Sequence, residues 1–359
     1  MTVHNFNAGP SMLPPSVIAE ATRAVQEFEH SGMSILEISH RSPGFMAVLD
    51  EAETLVRALL KLPEEYAVLF LTGGASTQFF MAPLNLLPQN EKAAYVDTGS
   101  WSAKAIKEAR RYGHIDVLAS SKAQNYAHIP KGYDLPVDTT YLHLTSNNTI
   151  FGTQYQVWPE TDVPLVCDMS SDIFSRPVPA NRFDLIYAGA QKNLGPAGVT
   201  LVIVRKSALG KTGRDIPTML DYNTHISKHS SFNTPPVFPI YVSMLTLRWI
   251  LETGGLHAMQ QRNEEKATLL YEEIDANPFF RGVVSDPADR SKMNVTFVMA
   301  DRYRELEADF LAACREANCV GVKGHRSAGG FRASIYNAMP LEGVQALVEV
   351  MRSFSLRYG

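Results

Sequence analysis

Short runs rich in Val, Ile, Leu, Tyr and Phe recur along this chain at 66–71, 92–96, 115–118, 140–144, 165–168, 185–188 and 199–204, with helical patterns or loops between them. Strands that alternate with helices are joined by crossovers, which leave neighbouring strands parallel and both faces of the sheet covered. The expected fold class is therefore α/β, with a large domain built on a mostly parallel sheet.

Before these runs, the spacing predicts a helix over 17–30 capped by Ser16 and another over 45–62, with the polar loop EISHRSPG at 37–44 between them. The segment 212–239 is rich in Ser, Thr, Asn, His and Pro and reads as irregular, too long for an ordinary connection. A helix over 240–252 precedes the break at Gly254 and Gly255, and a long helix over 256–276 follows it. The rhythm then changes to a strand at 294–299, a helix at 303–317, strands at 320–323 and 331–335, and a helix at 341–354. This predicts a large domain over 16–254 and a smaller α+β domain from 1–15 and 255–359.

Composition narrows the function. The 359 residues are 45% hydrophobic, enough for two cored regions, and the formal charge of −4 comes from interspersed acids and bases. Without a run of Lys or Arg to track a phosphate backbone, nucleic acid is not an expected partner. Cys167, Cys314 and Cys319 form no paired framework, which points to a reducing compartment, the cytoplasm by default. The sequence offers neither a leader nor a membrane span, and no metal site is expected.

The chemistry concentrates at YAGAQKNLGPAG, 187–198, where an apolar strand ends in small residues and presents Lys192 in a Gly-rich turn. A lysine in such a turn is by itself usually solvated. The preceding strand, PLVCD at 164–168, ends in Asp168, and the carboxyl edge of an open α/β sheet is where ligands bind. A lysine and an acid on that edge fit pyridoxal 5′-phosphate (PLP), which needs an amine for its aldehyde and an acid for its pyridine nitrogen. A carboxylate about 4 Å from that nitrogen favours its protonated form by roughly 4 kcal/mol at an effective dielectric near 20, about three pK units. Lys192 can then carry the proton from the substrate carbon as general base and acid.

Three more segments supply what the cofactor needs. LTGGASTQ at 71–78 follows a strand and opens a helix, so its N–H groups can hold a phosphate, although a Gly-Gly turn alone is a weak signal. Trp101, in TGSWS at 98–102, offers an indole to cover the ring, and Thr149, in TSNNTIFG at 145–152, offers a hydroxyl to the ring 3′-oxygen. The plain alternatives are a core tryptophan and an Asn-rich turn.

These residues resemble the phosphoserine aminotransferases, class V members of the fold-type I PLP enzymes. NFNAGPSMLP at 5–14, SHRSP at 39–43, AGAQKNLGPAG at 188–198, NTPP at 233–236, the His325-Arg326 pair and RASIYNAMP at 332–340 carry the resemblance across nearly the whole length. It implies exchange of an amino group between L-glutamate and 3-phosphohydroxypyruvate, giving 2-oxoglutarate and O-phospho-L-serine in serine biosynthesis. A phosphorylated hydroxythreonine step of vitamin B6 synthesis is a second activity it admits. It places Lys192 in the Schiff base, Asp168 at the pyridine nitrogen, Trp101 on the ring and Thr149 near its 3′-oxygen. Ala75, Ser76 and Gln191 would hold the cofactor phosphate, with Asn233 and Thr234 reaching it from the partner of a homodimer with shared active sites. Arg332 would bind the substrate α-carboxylate, and His40, Arg41, His325 and Arg326 the distal phosphate or carboxylate.

Two positions depart from the pattern: Ala8 stands where some members have Ser, and Ser76 where some have Arg. Both bear on substrate preference more than on the cofactor. A cysteine desulfurase is the nearest rival, but it needs a reactive thiol on a mobile loop, whereas Cys314 falls on an apolar helical stretch and Cys319 at a strand entrance. A binding protein on the same scaffold is a further alternative, against which Lys192, Asp168 and the arginine set stand together.

Overall fold

The computed structural model describes residues 2–135 and 137–359, so Met1 of the 1–15 segment lies outside the described residues. A two-residue strand β1 (His4–Asn5) is followed by helices α1 (Pro15–Gln26) and α2 (Pro43–Leu60). Next come β2 (Tyr66–Leu71), α3 (Gly74–Leu86), β3 (Lys92–Asp97), α4 (Ser100–Ala109), β4 (His114–Ser120), β5 (Leu142–Thr145), β6 (Leu165–Asp168), β7 (Phe183–Gly189) and β8 (Thr200–Arg205). Helices α5 (Tyr222–Ser227), α6 (Val237–Glu252) and α7 (Gly255–Ala276) lead to β9 (Phe280–Gly282), β10 (Asn294–Met299), α8 (Glu307–Glu316), β11 (Cys319–Val320), β12 (Phe331–Ser334) and α9 (Leu341–Tyr358).

Seven strands form one sheet in the order β2-β8-β7-β6-β5-β3-β4. Strands β3 to β7 pair in parallel, while β8 runs antiparallel to both β7 and β2. Alternate residues of each strand enter different cores. Val68, Phe70, Leu142, Leu144, Ile186 and Leu201 pack on the side of α1, α2 and α6. Leu69, Tyr95, Val166, Leu185, Tyr187 and Val202 pack on the side of α3 and α4. Burial on both faces explains why β8 is an unbroken apolar run, with Leu201, Val202, Ile203 and Val204 all at 0% exposure.

Winding reverses at β3: the chain first adds β4 on one side, then returns to place β5 on the other. Such a reversal opens a crevice at the carboxyl ends of the strands. A separate core forms around the antiparallel sheet β12-β10-β9, where Phe280, Phe297, Phe310, Phe331 and Phe354 pack edge to face or tilted. Helix α7 touches both cores, with Leu256 and Met259 in the first and Ala267, Leu270 and Ile274 in the second.

Several expected elements differ. Helix α1 starts at Pro15 with Pro14 as its cap residue, so Ser16 lies inside the first turn and caps nothing; proline suits that first position, where its missing N–H goes unneeded. The segment 212–239 is not wholly irregular: it contains α5, which Asp221 caps by accepting from the Asn223 N–H at 2.9 Å, and α6 already begins at Val237. The helix expected over 303–317 is a 3-10 turn, Asp301–Leu306, running into α8. No helix among the described residues is long and apolar enough to cross a membrane.

Candidate active site

Each strand near the crevice delivers one group at its carboxyl end. Asp168 closes β6 two residues beyond Val166, so its side chain lies on the α3 and α4 side of the sheet. Thr145 closes β5 in register with it. Lys192 stands three residues past the end of β7, and Trp101 lies in the first turn of α4, just past β3.

The Thr149 turn is where these groups meet. Its Oγ1 accepts from Lys192 Nζ at 2.7 Å, and its carbonyl accepts from Arg332 Nη1 at 3.1 Å, so one turn joins the large sheet to β12 of the smaller core. Lys192 Nζ is 5.8 Å from the centre of the Trp101 ring. Asn148 holds the turn: its Oδ1 accepts from the Ile150 and Phe151 N–H groups at 3.1 and 3.2 Å, and its Nδ2 donates to the Thr98 carbonyl beside α4. The approach is so close that a Cβ on Gly99 would lie 2.2 Å from Asn148 Nδ2. A side chain there would push the Asn148 amide off the Thr98 carbonyl.

Electrostatics activate the lysine. Burial pushes the Lys192 pKa down to about 8; Asp168 opposes this and Arg332 adds to it. At neutral pH this amine is deprotonated far more often than an ordinary lysine, as a nucleophile and base must be. Burial in turn raises the Asp168 carboxyl, against the pull of Lys192 and the Ser170 N–H, which donates to Asp168 Oδ1 at 2.9 Å. His325 has its proton affinity lowered by burial and then by the positive charges of Arg332, Arg326 and Lys104.

The start of α3 offers groups suited to an anion. Helix α3 opens at Gly74 with no side-chain cap, leaving its first N–H groups, including those of Ala75 and Ser76, free for an anion. Gly73 holds φ at 94°, and a Cβ there would lie 1.9 Å from Thr77 Oγ1. Gln191 borders Lys192, and its carbonyl accepts from the Ser11 N–H at 3.0 Å. Trp101 Nε1, Arg332 Nε, Thr98 Oγ1 and Thr145 Oγ1 are buried with no hydrogen-bond partner among the described residues. An activated amine, a buried acid, an indole, an uncapped helix start and these orphaned groups fit PLP and a carboxylate-bearing substrate.

Lys192, Trp101, Thr149 and Arg332 thus come together beside the Asp168 strand end, and the charges of Arg332 and Arg326 act on His325, while other expected residues do not come near. Arg41 is exposed and its Nε reaches only His40 Nε2, at 3.3 Å. Asn233 and Thr234 are both exposed, and the Asn233 amide reaches only the Thr234 carbonyl, at 3.4 Å. Among the described residues, no hydrogen bond or ion pair links these four to Lys192, Asp168 or Arg332. The sequence reading also missed Asn148, Ser170 and Lys104. Lys104 was findable by helical spacing, one turn beyond Trp101.

The aminotransferase class-V family model matches residues 3–347. The phosphoserine aminotransferase of Phocaeicola vulgatus is 56% identical over 354 residues, 99% of each chain. The structure of the phosphoserine aminotransferase from Bacillus circulans subsp. alkalophilus superposes with a TM-score of 0.96 at 50% identity, covering 100% of this chain and 99% of that one. A PLP-bound phosphoserine aminotransferase from Trichomonas vaginalis superposes with a TM-score of 0.93 at 38% identity, covering 98% of this chain and 100% of that one. The crevice, its lysine and the matches over the full length lead to one conclusion: this chain belongs to the class-V aminotransferases and, within them, to the phosphoserine aminotransferase family.

Proposed function

We propose that this chain is a PLP-dependent transaminase that exchanges an amino group between L-glutamate and 3-phosphohydroxypyruvate, giving 2-oxoglutarate and O-phospho-L-serine for serine biosynthesis. The observation that carries this reading is Lys192: its amine, with a pKa near 8, lies 2.7 Å from Thr149 Oγ1 and within the field of Asp168. Bound PLP supplies an aldehyde that takes the amino group and a ring that withdraws electrons from the substrate carbon.

The chain's own groups do the rest. Asp168 would keep the pyridine nitrogen protonated, Trp101 would cover the ring, and Thr149 would hold its 3′-oxygen once Lys192 moves away. Ala75, Ser76 and Gln191 would hold the cofactor phosphate. Lys192, freed by the incoming amine, would take the proton from the substrate carbon and deliver it to the cofactor carbon on the other side of the amino nitrogen. Arg332 would clamp the α-carboxylate, with its Nη1 already anchored on the Thr149 carbonyl. His325 and Arg326 would face the distal anion.

Asn233 and Thr234, exposed in their own chain, would complete the cofactor site of the second copy in a two-fold dimer, and the same pairing is what would bring in His40 and Arg41. The two apolar cores support a large domain over 16–254 and a small one over 1–15 and 255–359, with α7 as the bridge. The unpaired, buried Cys167, Cys314 and Cys319 accord with a cytoplasmic location.

The test uses the PLP-loaded protein: glutamate should bleach its visible absorption band, and 3-phosphohydroxypyruvate should restore it while pyruvate does not. Equal recovery with pyruvate would refute the substrate assignment.

A further inference from the structure

The Lys104 ammonium lies 4.4 Å from the centre of the Trp101 indole, the same ring that Lys192 approaches at 5.8 Å. Lys104 is exposed and has no carboxylate partner among the described residues, and neither has Arg326 or Arg332. Exposed lysines without an ion pair also occur elsewhere among the described residues, as at Lys61, Lys107 and Lys211, so what sets Lys104 apart is its place over the Trp101 ring. His325 feels Arg332, Arg326 and Lys104 after the effect of its own burial, so the unpaired cations share one field. Like charges held together without an acid repel one another, and a bound anion relieves that repulsion.

We propose that Lys104 is a specificity-determining residue that supplies positive charge to the phosphate end of the phosphorylated substrate. This rests on the substrate reading above and adds a residue to it. A phosphate dianion gains about twice as much from an added cation as a carboxylate does. Lysine suits that task because its ammonium is a point charge on a flexible stem that can serve any phosphate oxygen. The indole underneath directs the stem towards the site, as an aromatic face attracts an ammonium.

The experiment compares Lys104→Met and Lys104→Arg with the unaltered holoenzyme, measuring KM for 3-phosphohydroxypyruvate and for glutamate, together with PLP affinity from the visible band. Lys104→Met should raise KM for the phosphorylated keto acid about fivefold and that for glutamate about twofold, with Lys104→Arg recovering most of the loss. PLP affinity should not change. Equal rises in both KM values, or a loss of PLP affinity that accounts for the change, would overturn the proposal, because Lys104 would then only support Trp101 or the cofactor. Phosphate-free hydroxypyruvate tests the underlying reading separately. If the unaltered enzyme used it as well as the phosphorylated form, the substrate assignment itself would fall, whatever Lys104 variants did.

Discussion

Replacing Lys266 with Met should flatten the rise of stability between about pH 7 and pH 10. Lys266, on α7, is 2% exposed, and its Nζ donates to the Ile335 and Tyr336 carbonyls at 3.0 and 2.7 Å, just beyond the strand that carries Arg332. Burial, and then Arg262, push its pKa from 10.5 down to about 7. Between those values the unfolded chain binds a proton that the folded chain does not, so stability rises with pH across that window. At about 1.4 kcal/mol per pH unit, the window from about 7 to 10.5 spans at most about 5 kcal/mol. The two carbonyls favour the ammonium and offset part of this, so about 2–4 kcal/mol is expected. Methionine keeps the stem but neither titrates nor donates. The stability gap between the unaltered protein and Lys266→Met should therefore widen with pH in favour of lysine. Urea unfolding of both proteins at pH 7, 8, 9 and 10, followed by fluorescence, measures that gap, and groups common to both cancel. Parallel curves would mean that Lys266 stays charged on its two carbonyls.

Asp168→Asn should still bind PLP but slow proton abstraction in single turnover about a thousandfold, the loss expected for roughly 4 kcal/mol of charge stabilisation; an unchanged rate would give the ring nitrogen another partner. Arg332→Ala should raise KM for glutamate and for the phosphorylated substrate alike, at least tenfold, since it removes a charged pair to a group both carry. Selective damage to one substrate would mean that the two ends of the site are reversed. Mixing Lys192→Ala with a variant altered at both Asn233 and Thr234 should recover turnover after subunit exchange, because one site of each heterodimer then has its lysine and an intact partner loop. No recovery would place that loop in its own site.

The parts of the fold legible in sequence are those fixed by local chemistry. Strands β2 and β6 have the expected bounds because each is a short apolar run closed by a turn. The antiparallel direction of β8 was not legible, since an apolar run buried on both faces reads the same in either direction. Strands β1 and β11 are two residues each and exist only because they pair with one another across the chain. At the site, Lys192 and Asp168 stood out because strand ends and small neighbours mark them in sequence. Asn148 did not, as its work is to join two distant loops. Lys266 carried a weak sign: it shares a helical face with Leu256, Met259, Asn263 and Leu270, where a charged residue is out of place.

All of the amino-transfer chemistry depends on Lys192 as the residue that takes the cofactor. Reducing the PLP-loaded protein with borohydride fixes the cofactor covalently on the lysine that holds it, and peptide mass spectrometry then locates it. Lys192 should carry the modification in nearly all of the protein, and Lys192→Ala should carry none and show no amino transfer. Modification concentrated on another lysine, or amino transfer persisting in Lys192→Ala, would contradict the account.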